Sequence, residues 1–352
     1  MEQTMHKLGI IGYGGMASFH HMKIEKPENI LFTAAYDISP ARREKATANG
    51  LAVYDDLDAF LRTGDFEAVL VATPNNFHYE LALAALRAGK HVICEKPATL
   101  TAAEFSGLME EAKRRNLLLT CHQNRRMDKD YRIIRKIWED GTLGDVFRIE
   151  SRVEGSRGIA DTWRRKKEFG GGMLYDWGAH LIDQLLELVP GKVTSVFARF
   201  QHLIPSDADD NVRLELEFEG GVSALMEIGT CHYIMHPLWY VLGRTGSAQI
   251  DYWDLQGKIV QLKDTDVKFE DEIKPNIAGP SITMAPRSED TVAILSLPEA
   301  TVDKGFFYRN FAAALEGREP LTVQPEQTLR ALQVMDLAFA SGESNQVIAC
   351  RI

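Results

Sequence analysis

Cysteine is scarce in this chain and scattered along it. The four cysteines, Cys94, Cys121, Cys231 and Cys350, form no Cys-x-x-Cys pair, which argues against a thiolate zinc site or a disulfide framework and suits a reducing compartment. Cys94 and Cys121 each end an apolar run and read as small core residues rather than reactive thiols. Long apolar runs are missing too: no stretch reaches 18 apolar residues, and Met1 to Lys7 has no hydrophobic signal core. Neither a membrane span nor a secretory leader is therefore expected, and the chain is expected to be cytoplasmic. Positive charge is in deficit, with 40 Lys and Arg against 50 Asp and Glu and a net charge of −10. A phosphate-backbone partner would need a local basic patch to override that field. The candidates, Arg125-Arg126 and Arg164-Arg165-Lys166-Lys167, lack the interleaved aromatics of a single-strand platform, so no nucleic-acid partner is expected. Internal repeats and low-complexity tracts are absent as well, and 352 residues of ordinary globular composition suit two domains.

What the chain does have begins with Leu8 to Ile11, an apolar strand running into Gly12-Tyr13-Gly14-Gly15-Met16-Ala17. This fits Gly-x-Gly-x-x-Gly/Ala: the first glycine turns the chain, the second admits a pyrophosphate to the backbone, and the small third position lets helix pack on strand. Phosphates would then lie on a helix N-terminus, where unpaired N–H groups favour negative charge. The next strand, Leu31 to Tyr36, ends in Asp37, close to where an acidic residue meets the ribose hydroxyls in such folds. Asp37 serves equally well, on sequence alone, as a cap for the helix after Ser39-Pro40. Helical and apolar strand segments alternate onward through Ala41 to Asn49, Leu57 to Arg62, Ala68 to Ala72, Tyr79 to Ala88, His91 to Cys94, Ala102 to Arg115 and Leu117 to Cys121. That alternation predicts a parallel sheet covered on both faces, with ligands beyond the carboxyl ends of its strands. Those ends carry Thr73-Pro74-Asn75, Glu95-Lys96-Pro97 and His122-Gln123-Asn124-Arg125.

The pattern changes after Arg126. A helix at Tyr131 to Glu139 and a strand at Asp145 to Glu154 precede a Gly/Arg-rich loop, and runs of period two follow from Val193 to Asp251. They predict a large open, mostly antiparallel sheet with helices on one face. The division expected is residues 1–124 for dinucleotide binding and 125–352 for substrate binding and association. Residues 258–296 show little periodicity and are left unassigned, while Phe306 to Leu315 and Glu326 to Ala340 read as closing helices. The covering helix should start in Asp176-Trp-Gly-Ala-His-Leu-Ile-Asp183, where Asp176 and His180 share one face four residues apart and Asp183 continues it. A carboxylate so placed would fix the imidazole tautomer and raise its proton affinity. The same spacing also describes a solvated polar face, since Glu187 falls on it, and a three-ligand metal face is a further alternative that lacks a second matching histidine. No metal is expected.

With these residues together, the sequence resembles the Gfo/Idh/MocA family of nicotinamide-dependent sugar and cyclitol oxidoreductases. The resemblance rests on the glycine turn, Thr73-Pro74-Asn75 with His78, Glu95-Lys96-Pro97, Asn124-Arg125-Arg126, Trp163-Arg164, and Asp176 with His180. It implies an N-terminal Rossmann domain and a C-terminal sheet that makes the oligomer interface. It also implies a catalytic set of Lys96, Asp176 and His180. The cofactor would meet Gly12, Tyr13, Gly14, Gly15, Met16, Asp37, Ile38, Arg42, Thr73, Pro74, Asn75, His78, Glu95, Lys96, Asn124, Trp163 and Arg164. Lys96, Arg125, Trp163, Asp176 and His180 would meet the substrate, a sugar, glycoside or cyclitol. The one departure, Ala17 at the third glycine position, is within the tolerated pattern.

The residues support that chemistry independently. Oxidising a secondary alcohol needs a base near neutral pH and a cation for the developing alkoxide, roles that suit His180 and Lys96. NAD is expected over NADP, since Asp37 would repel a 2′-phosphate, although Arg42 and Arg43 lie where they could attract one. Trp163 is either core or a cover for the nicotinamide, Arg125 and Arg164 either ligand contacts or surface pairs, and His232 and His236 could reach the cleft. Two other functions share these motifs: cleavage of a glycoside through transient oxidation, and a regulator that binds dinucleotide or sugar without turnover.

Overall fold

The computed structural model describes residues 4–265 and 284–352, together with Ile273, Pro275, Ile277, Gly279 and Pro280. The other residues of the unassigned segment 258–296, like residues 1–3, lie outside the described residues.

The first layer alternates strand and helix: β1 (His6–Ile11), α1 (Gly15–Met22), β2 (Ile30–Tyr36), α2 (Pro40–Ala48), β3 (Ala52–Tyr54), α3 (Leu57–Thr63), β4 (Ala68–Val71), α4 (His78–Arg87), β5 (His91–Cys94), α5 (Ala102–Arg115) and β6 (Leu119–Cys121). Its six strands run parallel in the order β3-β2-β1-β4-β5-β6. All four residues of β4 are buried, as a strand with helices on both faces requires. The order reverses direction between β1 and β4, which opens a crevice at their carboxyl ends. Helix α5 shows how local chemistry sets element bounds: Thr101 and Glu104 form a reciprocal capping box at its start, and Asn116 ends it at φ 56°.

The second layer contains α6 (Lys129–Glu139), β7 (Val146–Glu154), a π-turn at Leu174–Gly178 leading into α7 (Ala179–Leu188), and β8 (Val193–Gln201), β9 (Asn211–Phe218), β10 (Ser223–Gly229), β11 (Trp239–Gly243), β12 (Gly246–Ile250), β13 (Gly257–Leu262) and β14 (Val292–Leu295). Then follow α8 (Phe306–Leu315), α9 (Pro325–Ser344) and β15 (Ile348–Ala349). The sheet runs β14-β13-β12-β11-β7-β10-β9-β8-β15, with only the β7–β10 pair parallel. Strands β13 and β14 thus supply structure inside the segment whose periodicity assigns nothing.

Helices α7 and α9 cover one face, taking Val196, Ala198, Leu214, Leu216 and Met226 into the core. Phe200 stacks on Phe339 of α9 at 5.3 Å, and Gly342 is needed beneath it, because a Cβ there would stand 2.4 Å from the Phe200 ring. The helices therefore take the Val196, Ala198, Phe200 side of β8 and leave Phe197, Arg199 and Gln201 on the open face. That open face holds a charge network in which Arg152 bridges Glu150 and Glu227, the latter at 2.7 Å. Packing crosses the 124/125 division: Tyr308, Phe311 and Ala312 of α8 return to the core of the parallel sheet beside Leu8, Ile10 and Phe32.

Candidate active site

At the switch point, Gly12 adopts φ +87°, and a Cβ there would come within 2.7 Å of Thr73 Cγ2. A Cβ on Gly14 or Gly15 would meet no heavy atom closer than 4.0 Å, so the backbone at the start of α1 is bare toward the crevice. Tyr13 anchors this turn from behind, its buried hydroxyl held by His21 Nδ1 at 2.9 Å and Asn49 Nδ2 at 2.8 Å. Asp37 serves turn and helix at once: Oδ2 accepts the Tyr13 N–H and Oδ1 the Ser39 N–H, each at 2.8 Å. Each oxygen keeps a lone pair for a further donor. Arg42 Nη1 stands 3.6 Å from the same carboxylate, and Arg43 binds the Asp37 carbonyl at 2.8 Å. Ile38, directly after it, is fully at the surface.

The crevice, about 320 Å³, continues past Met16, Thr73 and Pro74 to Lys96 and Trp163. Asn75 is buried and donates to Gly170 O at 2.8 Å, tying the two layers together. His78 also lines the crevice, with its ring nitrogens held 2.8 Å from Pro97 O and 3.0 Å from Thr73 O.

Lys96 and Asp176 meet where this crevice joins a second cavity. Lys96 Nζ donates to Asp176 Oδ1 at 2.6 Å and to its carbonyl at 2.8 Å, while Arg164 Nε stands 3.4 Å from Oδ2. Burial alone would raise the Asp176 pKa, but Lys96 and then Arg164 outweigh it and hold the carboxyl below its usual range. Asp176 and Arg164 also line the second cavity, about 590 Å³, with Trp177, Trp253, Arg157 and Thr230.

The expected pairing of Asp176 with His180 is not made. Leu174 to Gly178 form a π-turn, which takes Asp176 out of the α-helical register of His180. His180 instead contacts Gln123 Oε1 through Nδ1 at 3.2 Å, and Gln123 is oriented by donating Nε2 to Ala179 O at 3.2 Å. That places the proton on Nδ1 and leaves Nε2 an acceptor. Burial first, then the positive charges of Lys96 and Arg125, push the His180 pKa well below 6.5, the reverse of the elevation expected from a carboxylate neighbour. The solvated-face reading also fails, because His180, Leu181, Ile182, Asp183, Gln184 and Leu185 are all buried. Asp183 is held by Arg126 through two contacts of 2.6 and 2.5 Å. With both carboxylates bound to cations, the three-ligand metal face does not assemble.

Asp209, His20 and Tyr308 were not legible as residues of the site, whereas Glu95, Asn124, Arg125 and Trp163 are among the expected ones. Asp209 Oδ2 accepts the Leu174 N–H at 2.9 Å, and Gly172 leaves room for that carboxylate. Glu95 Oε1 accepts from His20 Nε2 at 2.7 Å and His122 Nδ1 at 2.9 Å, and Tyr308 OH bonds the other nitrogen of His20 at 2.5 Å. Burial opposes a charged Glu95, yet the hydrogen bonds from His122 and His20 hold its pKa well below the carboxylate range; burial lowers His20 to about 4. Arg125 stacks on Trp177 at 3.9 Å and binds Asp128 at 2.6 Å. With Asn124 it lines a neighbouring cavity of about 520 Å³ rather than the crevice itself. Trp163 lies at the crevice edge, its ring 4.7 Å from the Arg164 guanidinium carbon.

A parallel sheet of this order, a bare glycine turn and a Lys–Asp contact at the junction of two cavities describe a dinucleotide fold facing a substrate cleft. The profile described as "Oxidoreductase family, NAD-binding Rossmann fold" matches residues 6–123, and "GFO/IDH/MocA C-terminal domain" matches residues 131–249. The chain belongs to the Gfo/Idh/MocA oxidoreductase family. An NAD-binding protein from Listeria innocua of solved structure is 40% identical, with a TM-score of 0.94, covering 99% of this chain and 100% of that one. The scyllo-inositol 2-dehydrogenase (NADP(+)) IolW of Bacillus subtilis is 28% identical over 350 residues, 97% of this chain and 95% of that protein. An uncharacterized oxidoreductase of Schizosaccharomyces pombe, C26H5.09c, is 35% identical over 220 residues, 60% of each chain. Among the described residues, no helix of this family member is long and apolar enough to cross a membrane.

Proposed function

We propose that this chain is a cytoplasmic NAD(H)-dependent oxidoreductase that interconverts a secondary hydroxyl and a ketone on a sugar, glycoside or cyclitol. The observation that carries the reading is the Lys96–Asp176 contact at the junction of the two cavities, with the neutral, Gln123-oriented His180 on the next turn. The crevice fits a dinucleotide, since Gly14 and Gly15 leave the α1 N-terminus open to phosphate and Asp37 keeps acceptor capacity for ribose hydroxyls. The nicotinamide supplies the hydride chemistry.

The protein's share is proton handling, charge and positioning. His180 Nε2 accepts the substrate hydroxyl proton, and its low pKa keeps it in the accepting form at neutral pH. Lys96, held by Asp176, presents an ammonium to the developing alkoxide. Asp176 thus acts on Lys96, not on His180. Trp177 and Trp253, with ring centroids 5.8 Å apart at the second cavity, offer apolar faces to a sugar or cyclitol ring. The inositol activity named for the Bacillus relative supports this substrate class.

A panel of inositols, sugars and glycosides with NAD⁺ tests the reading, following NADH absorbance and bond cleavage together. NADH formation with one class of polyol is expected. Cleavage without NADH would replace net oxidation by transient oxidation, and ligand binding without either would make the chain a regulator. Self-association through the open face of the nine-stranded sheet is part of the proposal, since Phe197 alternates with the helix-covered Val196 and Ala198 on β8 and falls on the open side.

A further inference from the structure

At the rim of the substrate cavity, Glu154 at the end of β7 gathers two imidazoles from the loop between β10 and β11. Its Oε1 lies 3.1 Å from His232 Nδ1 and 3.0 Å from His236 Nδ1, and Oε2 accepts the His236 N–H at 2.7 Å. The carboxylate is nearly sealed, and among the described residues no lysine or arginine pairs with it. A carboxylate removed from water normally has a permanent cation or a metal beside it. The loop is set by backbone ties: His232 N–H donates to Gly155 O at 2.8 Å, Gly155 N–H to Gly229 O at 2.8 Å, and Gly158 N–H to Thr230 O at 3.0 Å.

Gly229 and Asn211 lie behind the His232 ring. Asn211 is buried, its Nδ2 is committed to Asp210 Oδ1 at 2.6 Å, and its Oδ1 is sealed without a partner. A Cβ on Gly229 would stand 2.2 Å from His232 Nε2 and 2.8 Å from Asn211 Oδ1, so only glycine admits the ring. His232 stands at ion-pair distance from Glu154, and no side-chain hydrogen bond among the described residues commits its ring, so Nδ1 is open to ligate with the proton on Nε2.

We propose that Glu154, His232 and His236 bind one divalent transition ion of the zinc class. With bonds of about 2.0–2.2 Å at tetrahedral angles, ligand atoms stand roughly 3.3–3.6 Å apart; here the carboxylate–imidazole spacings are 3.1 and 3.0 Å, and all three ligand atoms lie within 4.8 Å of one another. Imidazole and carboxylate together suit zinc and its neighbours over magnesium or calcium. Three protein ligands leave a coordination position open, and Glu154 and Thr230 line the substrate cavity, so that position suits a hydroxyl or carboxylate oxygen. The buried His20–Glu95–His122 group differs. Its contacts are shorter, at 2.7 and 2.9 Å, and His20 donates to Glu95 while accepting from Tyr308, so both of its ring nitrogens are already hydrogen-bonded.

The test uses the untagged full chain stripped with a chelator and titrated with Zn²⁺ by calorimetry, with metal content measured after desalting. One equivalent is expected in the wild type. Stoichiometric binding should be lost in His232→Ala/His236→Ala and weakened in either single variant. NADH affinity, read by fluorescence, should be unchanged in these variants and reports that they fold. X-ray absorption of the zinc-loaded wild type, which does not depend on any variant, should fit two imidazoles and a carboxylate oxygen. Absence of stoichiometric zinc in the wild type, undiminished affinity in the folded double variant, or an absorption fit without imidazole would each overturn the site.

Discussion

Lys96 grips Asp176 twice, at the carboxylate through a 2.6 Å contact and at the backbone carbonyl through a 2.8 Å contact, across 80 residues of chain. A carbonyl oxygen has two lone pairs, so the Asp176 carbonyl can accept from Lys96 within the π-turn that carries it. Asp176→Asn keeps the size of the side chain and removes its charge, and the carbonyl contact remains. Turnover is therefore expected to fall by about 10–10³-fold, with NADH affinity unchanged, as for loss of an oriented charge rather than of the fold. Lys96→Ala should be at least as damaging. Steady-state kinetics on a substrate from the polyol panel, alongside NADH fluorescence titration, checks both.

General base catalysis is worth about 10²–10⁴-fold, so His180→Ala should lower turnover by that factor. The pH profile is more telling. Because burial and the nearby positive charges depress the His180 pKa, the acidic limb of turnover should lie below pH 6.5. Gln123→Glu puts a carboxylate where Oε1 now touches Nδ1 at 3.2 Å, which favours the imidazolium and should move that limb to higher pH. An unmoved limb would separate His180 from the proton transfer.

Lys96, Asp176 and His180 were legible as candidates through the family resemblance, with a strand end to locate Lys96. Their pairing was not, since a spacing of four residues implies contact only on an α-helix and these residues begin on a π-turn. The fold class was legible because strand–helix alternation up to Cys121 and period-two runs from Val193 mark two different sheets, whereas the return of α8 to the parallel-sheet core left no such mark. Asp209 and Tyr308 carried no such signal, as each meets its partner through tertiary packing, Tyr308 across 288 residues. The solvated-face alternative failed for a related reason: the polar stripe of α7 faces Arg126 and Gln123, not water.

The buried His20–Glu95–His122 network should make the fold acid-sensitive. His20 titrates near 4 in the folded chain against 6.5 for an unperturbed imidazole, so the unfolded chain binds the proton first. Its contribution is fully present above pH 6.5 and is lost as pH falls toward 4, on the order of 3 kcal/mol in all. Glu95, depressed below 4.5, adds a loss in the same direction at lower pH. His20→Gln should therefore lower Tm at pH 7.5 yet flatten its decline between pH 6.5 and 5. Thermal scans of both chains over that range test it, and parallel slopes would contradict it.

Cofactor preference turns on the opposition between Asp37 and Arg42. The Asp37 carboxylate is fixed by two backbone N–H groups at 2.8 Å, so it cannot swing away from an incoming 2′-phosphate. Arg42, 3.6 Å away and half-exposed, neutralises part of that charge and is free to turn toward the phosphate. The Bacillus relative named for NADP(+) makes the choice a real one within the family. A fixed acceptor with an open lone pair on each oxygen favours the two ribose hydroxyls, so NAD(H) should give the higher kcat/KM. Asp37→Ser should narrow the preference by removing the repulsion, and Arg42→Ala should widen it by removing the cation. Equal kcat/KM for the two cofactors in the wild type, or a wider preference in Asp37→Ser, would show that some other group reads the ribose.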